Sequence, residues 1–346
     1  MIQFIFGGSG AHEGLPSDAA VKKMEKYDFT MKVPGMSVTA MGVVIVAVLL
    51  VALLTYLYIR RAYPTSYKGT FLGMATCLIT EYVILALLLA GVKIVTDMIS
   101  VPQGFEVAVS RIVAVISLLI QTTVTVVCMN YSLARFGWNP GTGKLGNIMA
   151  FGYGYALVET LRWVTTTFLN CWLMATTING VGLQAYYDAL GEEQFAQFME
   201  DAQYLFTLGP LYYVWMGIER LCYITFFITL AVMLGLIARK LMNKTFLVTL
   251  TSWCFAYYLP GLLRAYDIIT IDVVVLILEA IITAAAVLFA WQLMKKLTPE
   301  DAEKMNQIRK DGVYEALFAP RKKKETQRKV SISAAASSDV KRKMED

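Results

Sequence analysis

The chain has 346 residues, a formal net charge of +5, 57% hydrophobic residues and a mean hydropathy of +0.56. Its apolar residues fall in repeated runs of about twenty, the length that spans the hydrocarbon core of a bilayer. This composition excludes a soluble globular domain and predicts an all-α, polytopic membrane protein.

The segment before the first apolar run begins MIQFIFGGSGAHEG. It lacks a basic n-region and a long apolar h-region, so we do not expect a cleaved signal peptide. We expect instead an external N-terminal tail over residues 1–36. The single histidine of the chain, His12, lies in this tail. No histidine-based site is therefore expected inside the membrane.

Seven apolar runs, separated by glycine, proline and charged residues, predict seven transmembrane helices in a membrane domain over 37–297. The five cysteines fall in or beside these runs without CxxC spacing, so we expect packing residues rather than a zinc site or a disulfide framework. The predicted spans are 37–59, 69–92, 107–134, 145–169, 208–237, 246–265 and 273–294.

The charges of the loops predict the orientation, because loops rich in Lys and Arg stay in the cytoplasm. Basic residues follow the odd-numbered spans: Arg60, Arg61, Lys68, Arg135, Lys144, Arg239, Lys240, Lys244, Lys295 and Lys296. The opposite loops are acidic, with Asp97, Glu106, Glu192, Glu193, Glu200, Asp201, Asp267 and Asp272. We therefore expect the N-terminus outside and the C-terminus inside. The short loops suit a bacterial plasma membrane.

Two segments outside the spans have their own patterns. Between the fourth and fifth spans, at about 180–207, apolar residues recur at three- and four-residue spacing, which predicts an amphipathic helix. It would lie on the outer membrane surface, cap the bundle or form a packed loop helix. Residues 298–346 are polar and basic, which predicts a disordered cytoplasmic tail that contacts anionic lipid headgroups or is simply solvated.

Several charged residues fall inside the predicted spans, where an unpaired charge costs about 3 kcal/mol near the bilayer centre. Most lie in the outer half of the membrane in the predicted orientation: Glu81, Glu159, Arg162, Glu219, Arg220, Arg264 and Glu279. We expect the more isolated carboxyls of Glu81 and Glu279 to be protonated and hydrogen-bonded to Ser, Thr or Tyr, because desolvation disfavours their charged form.

Helical spacing places Tyr155, Glu159 and Arg162 on one face of the fourth span, together with Gly152. Glu219 and Tyr223 share a face of the fifth span. Gly152 and Gly154 would let another helix approach closely. These charges either form interhelical ion pairs, Glu159 with Arg220 or Glu219 with Arg162, or line an outer cavity that binds a polar substrate or peptide.

The stretches GYGYALVE and IERLCYITFF, in this order, resemble the YhfC-like membrane proteins, relatives of the CPBP and PrsW intramembrane proteases. That family has EExxR, GxGHGxxE and ERxxAxxxH motifs on successive helices and a further histidine. The resemblance covers about residues 40–294 and implies a glutamic-type intramembrane peptidase fold. Gly152, Gly154 and Glu159 match the second motif, and Glu219 and Arg220 match the third.

The chain departs from this pattern at each expected histidine. Tyr155 and Phe227 stand at two of these positions, and the alanine of the third motif is Tyr223. Arg135 matches the arginine of EExxR, but Tyr131 and Ser132 replace its glutamates. The sixth span has tyrosines and Pro260 where a further histidine is wanted. We therefore expect no metal and no cofactor.

Three classes of function remain open. We favour a catalytically degenerate relative that binds a peptide, a lipid or a partner membrane protein in a polar outer-leaflet cavity. The first alternative is a residual peptidase in which Glu159 and Glu219 share a proton, with Arg162 or Arg220 stabilising the oxyanion. The second is a small-solute transporter or receptor. The candidate binding residues are Glu81, Tyr155, Arg162, Arg220, Tyr223, Arg264 and Glu279, and no nucleic-acid partner is expected.

Overall fold

The regular structure that the computed structural model assigns is entirely helical. The model describes residues 27–63, 65–98, 105–136, 145–238, 242–266, 268–269 and 271–294. The helices are α1 (Gly35–Ala62), α2 (Tyr67–Ile79), α3 (Leu85–Met98), α4 (Glu106–Phe136), α5 (Leu145–Trp163), α6 (Leu169–Val181), α7 (Leu183–Thr207), α8 (Pro210–Ala238), α9 (Phe246–Ala265) and α10 (Asp272–Met294). Two π-helical turns, π1 (Thr80–Ile84) and π2 (Val164–Phe168), join α2 to α3 and α5 to α6 without a break.

Six of these helical segments are long and apolar enough to cross a membrane, which makes the chain a multi-pass membrane protein. They are Gly35–Ala62, Tyr67–Met98, Val107–Arg135, Pro210–Ala238, Phe246–Ala265 and Val273–Leu293. Each contains nearly all of one predicted span, because a long apolar run determines both the helix and its length. The predicted span 145–169 is helical too, but its helix continues to Val181 and it is less apolar than the other six.

Burial explains the lower apolarity of α5. Most of its residues are buried, and it packs against α1, α2 and α8 inside the bundle rather than facing lipid. A helix surrounded by protein can carry glycine and polar residues that a lipid-facing helix cannot. α8 is the other central helix, in contact with α1, α4, α5, α9 and α10.

Glycines allow α2 and α5 to pack backbone against backbone. A Cβ on Gly73 of α2 would meet the carbonyl oxygen of Phe151, and a Cβ on Gly154 of α5 would meet the carbonyl oxygen of Thr70. On the other face of α5, a Cβ on Gly152 would lie 2.5 Å from the Phe227 carbonyl oxygen of α8. The close approach predicted for Gly152 and Gly154 is thus confirmed.

A cap of α6, α7 and the chain before α1 closes one end of the bundle, called here the α7 end. Phe195 of α7 is fully buried and makes an edge-to-face contact with Tyr27 at 5.2 Å. Asn179 of α6 accepts a hydrogen bond from the Val33 amide at 2.8 Å and donates one to the Val33 carbonyl at 2.9 Å. The predicted segment 180–207 is therefore helical on both sides of a kink at Gly191 and packs on the bundle, and part of the predicted external tail packs with it.

One titratable pair lies within this cap. Burial, together with the hydrogen-bonding contact of 3.0 Å to the Cys171 thiol, raises the pKa of Tyr204. The cysteines are free and lie among packing residues, as predicted. The basic tail predicted over 298–346 lies outside the described residues.

Candidate functional site

The first cluster of intramembrane polar groups surrounds Glu81, and we call Glu81, Thr125, Tyr155, Glu159 and Arg162 the Glu81 cluster. The Tyr155 hydroxyl donates a hydrogen bond of 2.6 Å to Glu81 Oε1, and the Thr125 hydroxyl donates a longer one of 3.4 Å. The donors lie on α5 and α4 and the acceptor lies in π1, so the two bonds connect three segments of the bundle. The predicted hydrogen bonding of Glu81 to Thr or Tyr is confirmed.

Tyr155 is held in one orientation by the core. It is fully buried, and its ring stacks on Phe227 of α8 with a centroid distance of 5.1 Å and an interplanar angle of 7°. Because its hydroxyl is used by Glu81, Tyr155 acts in this geometry as a hydrogen-bond donor. The same core contains the predicted binding residue Tyr223, which is buried and lies 4.5 Å from Phe227 between ring centroids.

Glu159 and Arg162 form an ion pair within α5. Arg162 Nη2 lies 2.7 Å and Nε 3.1 Å from Glu159 Oε2. The Glu159 side chain is 7% exposed and that of Arg162 is 31% exposed, so the pair has a buried carboxylate and a more accessible guanidinium. The salt bridge follows from the spacing of three residues, which places both side chains on one helix face.

Both π-helical turns lie beside these charges. π1 contains Glu81, and π2 begins two residues after Arg162. The hydroxyl of Thr166 donates to the Arg162 carbonyl at 2.7 Å, which satisfies a carbonyl near the wider turn. π-helical turns inside α-helices are frequent at functional sites. Sequence reasoning missed both turns, although the run Thr165–Thr166–Thr167 supplies hydroxyls at one of them.

The second cluster lies between α8, α9 and α10, and we call Tyr212, Glu219, Arg220, Arg264 and Glu279 the Glu279 cluster. Arg220 Nη2 lies 3.4 Å from Glu219 Oε1. Arg264 donates a hydrogen bond of 2.7 Å to the Tyr212 hydroxyl. Both arginines also lie over aromatic rings, Arg220 over Trp163 at 5.0 Å and Arg264 over Tyr212 at 5.2 Å.

Glu279 is the least satisfied member of this cluster. It is 5% exposed, and its Oε2 is buried without a hydrogen-bond partner among the described residues. The prediction that it would be hydrogen-bonded to Ser, Thr or Tyr is therefore not met at this oxygen. The charges that act on it most strongly are Glu219, Arg220 and Arg264.

The predicted single polar site is thus divided between two clusters. Glu81 interacts electrostatically with Glu159 and Arg162, whereas Glu279 interacts with Glu219, Arg220 and Arg264. The salt bridges at Glu159 and Glu219 are formed with Arg162 and Arg220, each on the same helix, whereas the sequence analysis had considered interhelical pairs as one of two alternatives.

A small pocket opens between α8, α9 and α10 beside the Glu279 cluster. It is lined by Tyr212, Trp215, Glu219, Arg264, Val275 and Leu276, among others. Its free space corresponds to about one water molecule. This is far smaller than the roughly 300 Å³ at which small-molecule sites begin, so this pocket does not hold a peptide in the conformation seen here.

No group of three or more His, Cys, Asp or Glu side chains is arranged to hold a metal ion in the part of the chain that the structure describes. No protein-family model matches the chain, and searches of curated proteins and of solved structures found no match. The class that the fold defines is an all-helical, multi-pass membrane protein with two partly buried clusters of charged side chains.

Proposed function

We propose that this protein binds an amphiphile with an anionic headgroup, such as an anionic lipid, on a non-catalytic helical scaffold of the YhfC-like kind. The observation that carries the proposal is that Arg162, Arg220 and Arg264, on three different helices, lie at one level of the bundle. Each is oriented by a carboxylate or an aromatic ring: Glu159 for Arg162, Trp163 for Arg220 and Tyr212 for Arg264.

The common level of the three arginines is calculated from the rise of an α-helix. At 1.5 Å per residue, Arg162, Arg220 and Arg264 lie about 26–27 Å from the ends of α5, α8 and α9 that face away from the α7 end. The hydrocarbon core is about 30 Å thick, so this level is close to the interface at which lipid headgroups begin. At the same rise Trp163 lies about 27 Å from that end of α5, at the level of the arginines. Trp215 and Tyr212 of α8 lie higher, at about 35 and 39 Å, and aromatic residues are enriched in this interfacial region of membrane proteins.

Carboxyl groups form a second level below the arginines. Glu81, Glu159 and Glu279 lie about 21–23 Å from the same ends of α2, α5 and α10, again at 1.5 Å per residue. Glu159 of this level pairs with Arg162, while Glu219, which lies at about the level of the arginines, pairs with Arg220. The Arg162 side chain is 31% exposed and that of Arg220 is 20% exposed, and Arg220 has a buried Nε without a partner among the described residues.

We also propose that α5 with π2 is a seventh membrane crossing, and that the α7 end faces the outside of a plasma membrane. α5 lies among the six apolar helices and has the length of a span. The basic residues Arg60, Arg61 and Lys244 lie at the opposite end and the acidic residues of α7 at the proposed outer end, which fits the positive-inside rule. The arginine level would then contact the outer leaflet.

A peptidase is less well supported by this geometry. Shared-proton catalysis requires Glu159 and Glu219 within hydrogen-bond range of each other. Glu159 is instead bonded to Arg162, and the Tyr155 hydroxyl is bonded to Glu81. A phenol with an ordinary pKa near 10 is also a poor general base at neutral pH. The resemblance to YhfC-like proteins therefore supports the scaffold more than the hydrolytic chemistry.

Native mass spectrometry of the full-length protein in detergent tests the proposal. Phosphatidylglycerol is titrated as the anionic probe and phosphatidylcholine as the zwitterionic one. We expect tighter binding of phosphatidylglycerol, and a loss of about fivefold in apparent affinity in each of the Arg162→Gln and Arg220→Gln variants, or about 1 kcal/mol for one charge-assisted contact.

The matched control is Arg111→Gln, which removes an exposed arginine on α4 near the same end but outside the arginine level. It should leave the preference for phosphatidylglycerol unchanged. Equal binding of the two lipids, or equal losses in all three variants, would overturn the proposal. Retention of a co-purifying peptide in place of lipid would assign the arginine level to a peptide carboxylate instead.

A further inference from the structure

Glu279 occupies a position that the proposed lipid site does not explain. Its Oε2 is buried without a hydrogen-bond partner, and one turn further along α10 the hydroxyl of Thr283 is buried without one too, within the described residues. An ionised carboxylate buried in this way would cost several kcal/mol. The side chain must therefore take up a proton, or have its charge balanced by its neighbours.

The pocket between α8, α9 and α10 lies about one turn of α10 away from Glu279, on the side of the α7 end. Its lining residues Val275 and Leu276 are four and three residues before Glu279, on the same face of α10. On α8, Glu219 lines the pocket and is 28% exposed on its side chain. The pocket has room for about one water molecule. A water there has polar partners at Glu219 and Arg264.

The groups that face Glu279 come from both helices packed against α10. α8 contributes Glu219, Arg220 and Cys222, and α9 contributes Tyr257 and Arg264. Arg264 is engaged by Tyr212 and Arg220 by Glu219 and Trp163, so each guanidinium already has other contacts. Glu219 opposes a negative charge on Glu279, whereas the two arginines favour it.

We propose that Glu279 is a proton-binding site inside the membrane domain, and that water reaches it from the α7 end through the pocket above it. Proton uptake converts hydronium and the Glu279 carboxylate into water and a carboxylic acid, with no other reactant. The neutral acid needs only one hydrogen-bond partner, whereas the charged carboxylate is stabilised by its attraction to Arg220 and Arg264. The bound proton therefore changes the attraction between α10 and the helices α8 and α9.

This inference is independent of lipid binding at the arginine level. A proton-dependent contact between three membrane helices is the kind of element on which a proton-coupled transporter or a pH-sensitive receptor depends. Glu279 would remain a proton site if no lipid bound to Arg162, and the lipid site would remain if Glu279 never titrated.

Dicyclohexylcarbodiimide provides a test on the wild-type chain, because this apolar reagent adds to protonated carboxyls in apolar surroundings and the modified residue can be located by peptide mass spectrometry. We expect Glu279 to be labelled at low pH and progressively less as pH rises. In Glu219→Gln the labelling midpoint moves to lower pH, since a repelling charge is gone. In Arg264→Gln it moves to higher pH.

Infrared spectroscopy tests the water route. The carboxylic C=O band of Glu279 is identified as the band that Glu279→Gln removes. This band should shift within the mixing time when H2O is exchanged for D2O. Glu81→Gln is the control and should leave that shift unchanged. Absence of Glu279 labelling at every pH, or labelling that does not vary with pH, would overturn the proton site. A band that fails to shift for hours would overturn the water route.

Discussion

Tyr155 has a structural role that its position in the motif did not suggest. It stands where the resembling proteases have a histidine, yet its hydroxyl bonds Glu81 on another helix, 74 positions away in the sequence. The phenol supplies a proton donor to a carboxyl within the second predicted span, where lipid tails offer no hydrogen-bond partner.

Removing this donor should destabilise the fold measurably. We expect Tyr155→Phe to lower the unfolding free energy by about 1–2 kcal/mol, because Glu81 is left with only the long bond from Thr125. Thermal unfolding in detergent measures the change, with Tyr131→Phe, at an exposed tyrosine, as the control. A double-mutant cycle with Glu81→Gln isolates the pair, and a coupling energy near zero would contradict the expectation.

The partners of Glu81 and Glu279 show which side-chain contacts can be predicted from the sequence and which cannot. The type of partner for Glu81 was predictable, since a buried carboxyl needs a donor and Thr and Tyr are the donors available in apolar helices. The identity of that partner depended on the register of α2 against α5, which no local pattern specifies. The partner of Glu279 also depends on helix register, and its Oε2 has no hydroxyl partner among the described residues.

At the scale of the helix, the contact between α2 and α5 sets the geometry of the Glu81 cluster. The helices approach so closely that carbonyl oxygens of one meet the glycines of the other. Helix association in a bilayer has little hydrophobic driving force and depends on such packing. The distance between Glu81 and Tyr155 is therefore fixed by glycines rather than by the polar groups themselves.

A methyl group at this contact should separate the two helices. We expect Gly73→Ala to cost about 3 kcal/mol, because its Cβ would meet the rigid backbone of α5. Gly91→Ala on α3, where a Cβ meets nothing within 4 Å, is the matched control and should be neutral or slightly stabilising. Thermal unfolding compares them, and equal stability of the two variants would contradict the packing argument.

The positions of the helices were more predictable than the π-helical turns that interrupt them. The predicted span 246–265 coincides with α9, because charged residues and a short loop mark both of its ends. The π turns at Thr80–Ile84 and Val164–Phe168 could not be predicted, since one extra residue in a turn leaves the apolar run unchanged. The fourth predicted span ended at 169, and the continuation of its helix to Val181 was missed.

For the molecule as a whole, charge is layered along the bundle. Basic residues lie at one end, carboxyls such as Glu81 lie deeper than the arginines, and acidic residues lie on the α7 end. The orientation of the chain decides which leaflet the arginine level meets, so the proposed function and the proposed orientation are linked. A test of orientation therefore bears directly on which lipids the site meets.

Cysteine labelling from one side of the membrane decides the orientation. Asp201 is exposed on α7, and Lys244 is exposed in the loop before α9, at the opposite end. We expect a membrane-impermeant maleimide to label the Asp201→Cys variant in intact cells and the Lys244→Cys variant only after permeabilisation, because basic loops remain cytoplasmic. The wild-type chain, with its five native cysteines, gives the background. Labelling in the reverse pattern would place the arginine level in the inner leaflet, and labelling of both variants from one side would contradict the crossing of α8.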